Sequence, residues 1–247
     1  MMPLALAFDG VVADASQVGL SPLDRTVAFG DGLFETLRVV GQTPQHLRRH
    51  LGRLQRSAAQ LQLPLPTDAA LIAASESVIV AARATGCAED LRLKWLFSRG
   101  IASWQAAADQ ATEAHWVVSA HQVPPPPASM RLALVDLPLP QRGWPAPKAT
   151  SYLDSLLAKQ MALAAGADEA IRLDWRGDVA EGAAVNLFAI KGNVLYTAPA
   201  LGIVPGIVRE IVLEIAAEAG LVVHTKALSL AAFCQADEWF ASNALIG

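Results

Sequence analysis

Apolar residues recur along the 247-residue chain with two different periods, which predict both helices and strands. In the stretch 44–61, leucine and alanine return every three or four positions, as on one face of an amphipathic helix. From Leu91 to Phe97 every second residue is apolar, as in a strand with one buried face. The same pattern predicts further strands at 3–13 (two, around a turn), 33–40, 115–120, 131–139, 185–190, 194–197 and 221–224, and further helices at 68–85, 153–165, 207–216 and 228–234.

The order of these elements divides the chain into two halves that each mix strands and helices. Between them, residues 122–129 contain four successive prolines, which favour an extended backbone and exclude a helix. We therefore predict an N-terminal α+β domain at 1–120, a proline-rich linker at 121–129 and a C-terminal α/β domain at 130–247. The expected fold class is α/β (α+β) with two domains.

Composition excludes several classes of protein. Apolar residues make up 53% of the chain and charged residues 17%, the net charge is -4, and no basic run occurs, so we expect no nucleic-acid partner. No apolar run approaches the ~20 residues of a membrane span, and the N-terminus lacks the basic region of a signal peptide. Cys87 and Cys234 have no disulfide-framework spacing and read as buried thiols in a reducing compartment. The prediction is a cytoplasmic protein without a membrane partner.

Two charged residues in the second half are placed where chemistry is plausible. Lys148 follows a stiff Pro-Ala-Pro step and precedes the helix predicted from residue 153, so its amine lies near a junction that can hold it. Glu181 follows a turn at 174–177 and precedes an apolar strand, which favours partial enclosure. Spacing alone leaves the ordinary alternatives open, namely a solvated lysine at a helix start and a charge at the exit of a turn.

The surrounding motifs change this interpretation. Three motifs together resemble those of the class IV, fold-type IV pyridoxal-phosphate enzymes. They are K-x4-L-x2-LLAKQ from Lys148, GADEAIxLD, and VxEGxxxNLFAI around Glu181. That family comprises branched-chain and D-amino-acid aminotransferases and 4-amino-4-deoxychorismate lyase. The resemblance implies two α/β domains, a homodimer, pyridoxal 5'-phosphate as cofactor, Lys148 as the Schiff-base lysine and Glu181 as partner of the pyridine nitrogen. A primary amine and an anion suit these two tasks.

Further motifs of the same family imply the rest of a cofactor site. D-R-x4-G-D-G-x-F-E-T at 24–36 matches a segment that lies near the active site in the family. The motif H-L-x-R-L places Arg53 at the cofactor phosphate, which a guanidinium grips with two hydrogen bonds. Residues predicted to meet the cofactor through a helix N-terminus or the loop near the end of the chain are Ile207, Val208, Ser242 and Asn243.

The sequence also offers a candidate substrate contact and a candidate metal site. Arg99, in Ser-Arg-Gly, is expected to contact a substrate carboxylate, although the Gly, Arg and Tyr residues that often extend this motif are missing. His46 and His50 are spaced as zinc ligands, but no third ligand is evident, so we expect no metal.

Within the family, the ending S-N-A-L at 242–245 and the spacing after Lys148 favour the lyase, with 4-amino-4-deoxychorismate as the amino substrate. The missing extension after Arg99 speaks against it. The alternatives are a D-amino-acid or branched-chain aminotransferase and a non-catalytic homologue. The chain also lacks the final ~20 residues usual in the family, which motivates the last alternative.

Overall fold

The protein forms two compact units. The computed structural model describes residues 2–247 apart from Pro124 and the side chain of Asp109. The first unit extends to Pro125 and includes Pro147–Ser151, and the second comprises Pro126–Ala146 and Tyr152–Gly247. The boundary at 125/126 lies inside the predicted linker, of which Pro124 is outside the described residues. The return of 147–151 to the first unit was not predicted.

The first unit is a six-stranded antiparallel sheet in the order β2-β1-β6-β5-β3-β4 with two helices on one face. Its core lies between that face and the helices, because alternate strand residues point there; Trp95 and Leu93 are fully buried. The elements are β1 (Ala5–Phe8), β2 (Val11–Val12), α1 (Arg25–Phe29), β3 (Gly32–Val40), β4 (Thr43–Pro44), α2 (Leu47–Leu61), α3 (Asp68–Ala84), β5 (Leu91–Ser98), the short 3₁₀ helix Ala108–Gln110 and β6 (Trp116–Gln122).

The second unit is built on a seven-stranded mixed sheet. Its path runs β12-β11-β10-β9-β8-β7, and β13 pairs with β10 on the side away from β9 and β11. The outermost pairs, β11–β12 and β7–β8, are parallel. The elements are β7 (Leu132–Leu134), α4 (Leu153–Ala164), β8 (Glu169–Leu173), β9 (Val179–Glu181), β10 (Asn186–Lys191), β11 (Val194–Thr197), α5 (Ile207–Glu218), β12 (Val222–Thr225), α6 (Leu230–Cys234) and β13 (Glu238–Ser242).

Most predicted elements are confirmed within a few residues of their ends. The helix predicted at 68–85 is α3, and Thr67 caps it by accepting a bond from the Ala70 amide. The strand predicted at 131–139 is shorter, because only Leu132–Leu134 pairs with β8. Cys234 is exposed, so its predicted burial was wrong.

Helix α4 presents its apolar stripe to the outside of its unit. Leu153, Leu156 and Leu157, which recur with the helical period, are exposed, whereas Ala158 and Ala162 are fully buried. The alanines pack against the sheet through β8 because a small side chain lets the helix approach the strand closely. The predicted helix is therefore confirmed as α4, and its large apolar residues lie on the face away from the sheet.

Neither a membrane span nor a metal site is evident in what the structure describes. No helix of residues 2–123 or 125–247 is long and apolar enough to cross a membrane. Within the same residues no three His, Cys, Asp or Glu side chains are grouped as metal ligands.

Candidate functional site

Lys148 is held by pairing with strand β3 of the first unit. The Phe34 amide donates to the Lys148 carbonyl at 3.0 Å, and the Thr150 amide donates to the Gly32 carbonyl at 2.9 Å. The Thr150 hydroxyl adds a bond to the Gly30 carbonyl at 2.8 Å. The Lys148 ammonium nitrogen lies 4.4 Å from the centre of the Phe34 ring, a cation–π contact. Both the backbone and the amine of Lys148 are therefore fixed.

A buried ionic network lies close to this lysine. Glu35 of β3 accepts two bonds from Arg53 of α2, from Nε at 2.8 Å and from Nη2 at 2.6 Å, and its Oε2 lies 2.8 Å from His50 Nδ1. Burial raises the pKa of Glu35, but the charge and hydrogen bonds of Arg53 and His50 outweigh it and lower that pKa to about 2.

The charge of Lys148 also acts on one member of this network, His50. Burial lowers the pKa of His50, and the charges of Arg53 and Lys148 add to this effect, against the opposing contact with Glu35. Lys148 is thus near enough to His50 to act on its charge. Lys148 and Arg53 both belong to the first unit, and both act on the charge of His50, while the contact of Arg53 with a phosphate stays a prediction.

Arg99 is engaged by the protein itself. Its Nε donates to Asp31 at 2.8 Å, and its Nη1 and Nη2 donate to the carbonyls of Gln62 and Leu61 at the end of α2. Only 4% of the residue is exposed. A cation at a helix C-terminus bonds the carbonyls that have no partner within the helix. These contacts favour a structural role for Arg99, and its predicted contact with substrate gains no support from them.

In the second unit, Glu181 ends β9 and begins a row of polar side chains across three strands. Asn186 of β10 lies directly opposite Glu181 on one side and opposite Ser242 of β13 on the other. Side chains of directly opposite residues stand on the same face of a sheet. Glu181 Oε2 accepts a bond from the Val204 amide at 3.3 Å, and Asn186 Nδ2 donates to the Val204 carbonyl at 3.2 Å. The row therefore faces the segment that leads into α5.

The start of α5 and the end of this row form a cradle suited to an anion. Gly206 precedes the helix without a side-chain cap, which leaves the first amides, those of Ile207 and Val208, without a capping partner from Gly206. Any side chain at Gly206 would collide with the amide oxygen of Asn186. Ser242 is 98% buried, and its hydroxyl has no hydrogen-bond partner in the described part of the chain. An orphan hydroxyl and helix-start amides fit the phosphate group of the expected cofactor.

Asn243 follows Ser242 in the chain, and its side chain is hydrogen-bonded to the backbone of neighbouring loops. Its Oδ1 accepts bonds from the amides of Leu245 and Ile246 at 2.8 and 3.0 Å, and its Nδ2 donates to the Ala184 carbonyl. These bonds shape the loop after β13 that positions Ser242. The predicted cofactor contact of Asn243 stays a prediction.

Several neighbours of the site were missed by sequence reasoning. Burial and the charges of Glu181 and Glu169 raise the pKa of Tyr152, so this tyrosine lies near Glu181. Asn186 and Glu35 stand inside the quoted motifs as N-L-F and F-E-T, yet they were given no role. A polar residue within an otherwise buried strand is the signal that identifies such positions.

Known proteins resemble this chain along most of its length. The family model described as amino-transferase class IV matches residues 32–247. A Methanocaldococcus jannaschii protein provisionally named branched-chain-amino-acid aminotransferase is 30% identical over 96% of this chain and 83% of its own length. A Bacillus licheniformis D-alanine aminotransferase is 28% identical over 97% of this chain and 84% of its own.

Solved structures of similar fold carry names from the same family. A T.th. branched-chain amino acid aminotransferase with pyridoxamine 5'-phosphate superposes with a TM-score of 0.84 at 25% identity, over 99% of this chain and 83% of its own. A Legionella pneumophila protein provisionally named 4-amino-4-deoxychorismate lyase gives 0.83 at 28% identity, over 95% of this chain and 86% of its own. The predicted fold class is thereby confirmed as that of the fold-type IV enzymes.

Proposed function

Because the chain belongs to the class IV amino-transferase family, we propose that it is a lyase that converts 4-amino-4-deoxychorismate to 4-aminobenzoate and pyruvate. The family is pyridoxal-phosphate dependent, so the chain is an enzyme with pyridoxal 5'-phosphate as its cofactor. The observation that carries the choice of reaction is the S-N-A-L loop at 242–245. There the buried Ser242 hydroxyl faces the anion cradle and Asn243 holds the loop. The likeness to the Legionella pneumophila protein supports the same choice.

The resemblance to the family suggests which residues would hold the cofactor. Lys148 is proposed for the aldehyde carbon and Arg53 for the phosphate. Glu181 is proposed for the pyridine nitrogen, and Ser242 with the first amides of α5 for the phosphate. Bound pyridoxal phosphate supplies an aldehyde that condenses with amines and a ring that accepts electrons.

In the proposed reaction Lys148 moves the proton. Its amine removes the hydrogen from C4 of the substrate, the carbon that bears the amino group, as a general base. The C3–O bond then breaks, the six-membered ring becomes aromatic, and the departing enolpyruvate takes up one proton to give pyruvate. No oxidant or second substrate is needed. Once Lys148 has taken the proton, its ammonium is stabilised by the face of the Phe34 ring, 4.4 Å away.

A second candidate is an aminotransferase acting on branched-chain or D-amino acids. The relatives of Methanocaldococcus jannaschii and Bacillus licheniformis carry such names. It would use the same Lys148, Glu181 and Arg53, but it requires a keto acid as second substrate and passes through the pyridoxamine form of the cofactor.

The test is conversion of 4-amino-4-deoxychorismate by the cofactor-loaded protein, with 4-aminobenzoate measured by its fluorescence. We expect product from the wild type and from Lys191→Ala, an exposed lysine beside Asp237, and none from Lys148→Ala. No product, together with transfer of an amino group from an amino acid to 2-oxoglutarate, would replace the lyase with the aminotransferase. Neither reaction, in a protein without a visible absorption band, would favour the non-catalytic homologue.

We further propose that the protein works as a homodimer in the cytoplasm. The exposed leucines of α4 support an apolar contact between subunits, because a surface stripe of this kind is stabilised when it is covered.

A further inference from the structure

Arg172 of β8 is a buried arginine beside Glu181 in the second unit. Only 2% of the residue is exposed. It lies directly opposite Glu181 of β9, so the two side chains stand on the same face of the sheet, with their Cβ atoms about 5 Å apart. Ala170, two residues earlier on β8, shares this face and packs with the buried alanines of α4. Arg172 and Glu181 therefore lie on the side of the sheet that α4 covers.

The guanidinium of Arg172 is only partly satisfied by hydrogen bonds. Its Nε donates to the Leu137 carbonyl at 3.0 Å. Its Nη2 is a buried atom that has no hydrogen-bond partner among residues 2–123 and 125–247. Arginine is not deprotonated in proteins, so its buried charge is stable only with an anion nearby. A backbone carbonyl does not supply that anion.

Two carboxylates share the surroundings of Arg172. Tyr152, which immediately precedes α4, feels all three charges. Burial raises the pKa of this tyrosine, the charges of Glu181 and Glu169 raise it further, and the charge of Arg172 opposes them. The two carboxylates and the guanidinium therefore lie near the same phenol, and either carboxylate is a candidate counter-charge for Arg172.

Glu169 is compensated by other groups. Its Oε1 accepts bonds from two backbone amides, both at 2.8 Å, and its Oε2 lies 3.4 Å from Lys159 Nζ. Glu181 is the other carboxylate, and the strand register places it directly opposite Arg172. Glu181 is therefore the carboxylate that compensates the buried charge of Arg172.

We propose that Arg172 is a positioning residue that shares the negative charge of Glu181 with the pyridine nitrogen of the cofactor. This inference rests on the proposed function, in which Glu181 meets that nitrogen. The Val204 amide already donates to Glu181 Oε2, so the carboxylate is held without Arg172 and the effect of Arg172 is electrostatic. A cation beside the same carboxylate disfavours a proton on the ring nitrogen and so limits how strongly the ring accepts electrons. Such a limit suits the proposed elimination, which is driven by formation of an aromatic ring.

The experiment measures the affinity of the cofactor-free protein for two matched probes by equilibrium dialysis. One probe is pyridoxal 5'-phosphate, and the other is its 1-deaza analogue, in which a C–H group replaces the ring nitrogen. The ratio of the two affinities reports the contact of that nitrogen, because every other group is the same. We expect Arg172→Met to raise the preference for pyridoxal 5'-phosphate about tenfold, the value of one charge-assisted hydrogen bond. Arg172→Lys, which keeps the charge, and Arg176→Met, at an exposed arginine after β8, should keep the wild-type ratio.

Several results would overturn the proposal. An unchanged or lower ratio in Arg172→Met would do so, as would equal weakening of both probes, which indicates a packing role. If Arg172→Met does not fold, Arg172→Gln must raise the ratio instead. If neither variant folds, the wild type decides, because a preference for pyridoxal 5'-phosphate above about tenfold would refute the sharing of charge and a smaller one would sustain it.

A Glu181→Gln variant separates this proposal from the proposed function. In its background Arg172→Met should no longer change the ratio, and a change of the same size would refute a role through Glu181. If Glu181→Gln alone keeps the wild-type ratio, Glu181 does not meet the nitrogen, and both its proposed contact and the role of Arg172 fail. Probe binding requires no turnover, so an Arg172-dependent ratio without formation of 4-aminobenzoate would sustain the role of Arg172 and refute the lyase.

Discussion

The Glu35–Arg53–His50 network predicts a pH-dependent loss of stability on mutation of Glu35. Glu35→Gln keeps the shape of the side chain but removes the charge that Arg53 and His50 share. The residue is 1% exposed, so water does not replace the lost contact. Removal of one partner from a buried pair leaves the other charge uncompensated, which is destabilising. We expect the variant to fold with reduced stability at pH 7.

The magnitude follows from the pKa of Glu35. Folding lowers it from 4.5 to about 2, and each pKa unit corresponds to about 1.4 kcal/mol. The carboxylate thus contributes about 3 kcal/mol to the free energy of unfolding. Because the folded pKa is the lower one, this contribution is fully present above about pH 5 and is lost as the pH falls towards about 2. More than half of it is gone by about pH 3.

The assay is urea unfolding at several values between pH 7 and pH 3, followed by tryptophan fluorescence. Wild type should exceed Glu35→Gln by about 3 kcal/mol at pH 7, and the difference should shrink to less than half of that at about pH 3. Titrating groups that do not contact Glu35 are common to both proteins and cancel in the difference, whereas His50 loses the contact that raises its pKa. Glu76→Gln, on the exposed face of α3 in the same unit, is the matched control and should differ little from wild type at either pH. A difference that is large but constant from pH 7 to pH 3 would refute the assigned role of the Glu35 charge.

Three further predictions concern the second unit. Ser242→Ala should leave stability unchanged or slightly higher, because its buried hydroxyl lacks a partner in the described chain, while weakening pyridoxal phosphate about tenfold in equilibrium dialysis; equal affinity would exclude the hydroxyl from the phosphate site. Gly206→Ala should force Asn186 away from the start of α5 and lower both stability and cofactor affinity, whereas Gly19→Ala, with open space around it, should change neither. Leu156→Glu on α4 should convert a dimer to monomers in light scattering without lowering the helix content; an unchanged mass would remove α4 from the subunit contact.

Local patterns were sufficient to predict most elements of both units. The alternation from Leu91 to Phe97 and the helical period at 44–61 depend on neighbours in the sequence, and the structure confirms both. The family motifs likewise singled out Lys148 and Glu181, and their roles stay predictions.

Contacts between distant residues were beyond these patterns. Arg99 donates hydrogen bonds to the carbonyls at the end of α2, and no local feature of Ser-Arg-Gly indicates these contacts. The stripe on α4 shows the correct period, but the sequence does not state which face meets the sheet. The side chains of Arg92, Lys94 and His121 come together only when β5 and β6 are placed in register. Each of these depends on tertiary placement rather than on local preference.

The pairing of residues 147–151 with β3 also determines the order in which the protein can be assembled. Thr150 and the Gly30 carbonyl are 120 residues apart in the sequence, so this contact closes one of the longer loops in the chain. Until synthesis has passed Ser151, the amide of Phe34 on β3 lacks its bond to Lys148, and this part of the strand is an open edge that can pair with another chain. A fragment ended at Pro125 would keep that edge permanently. The lysine proposed for the chemistry therefore also closes an aggregation-prone edge of the nascent protein.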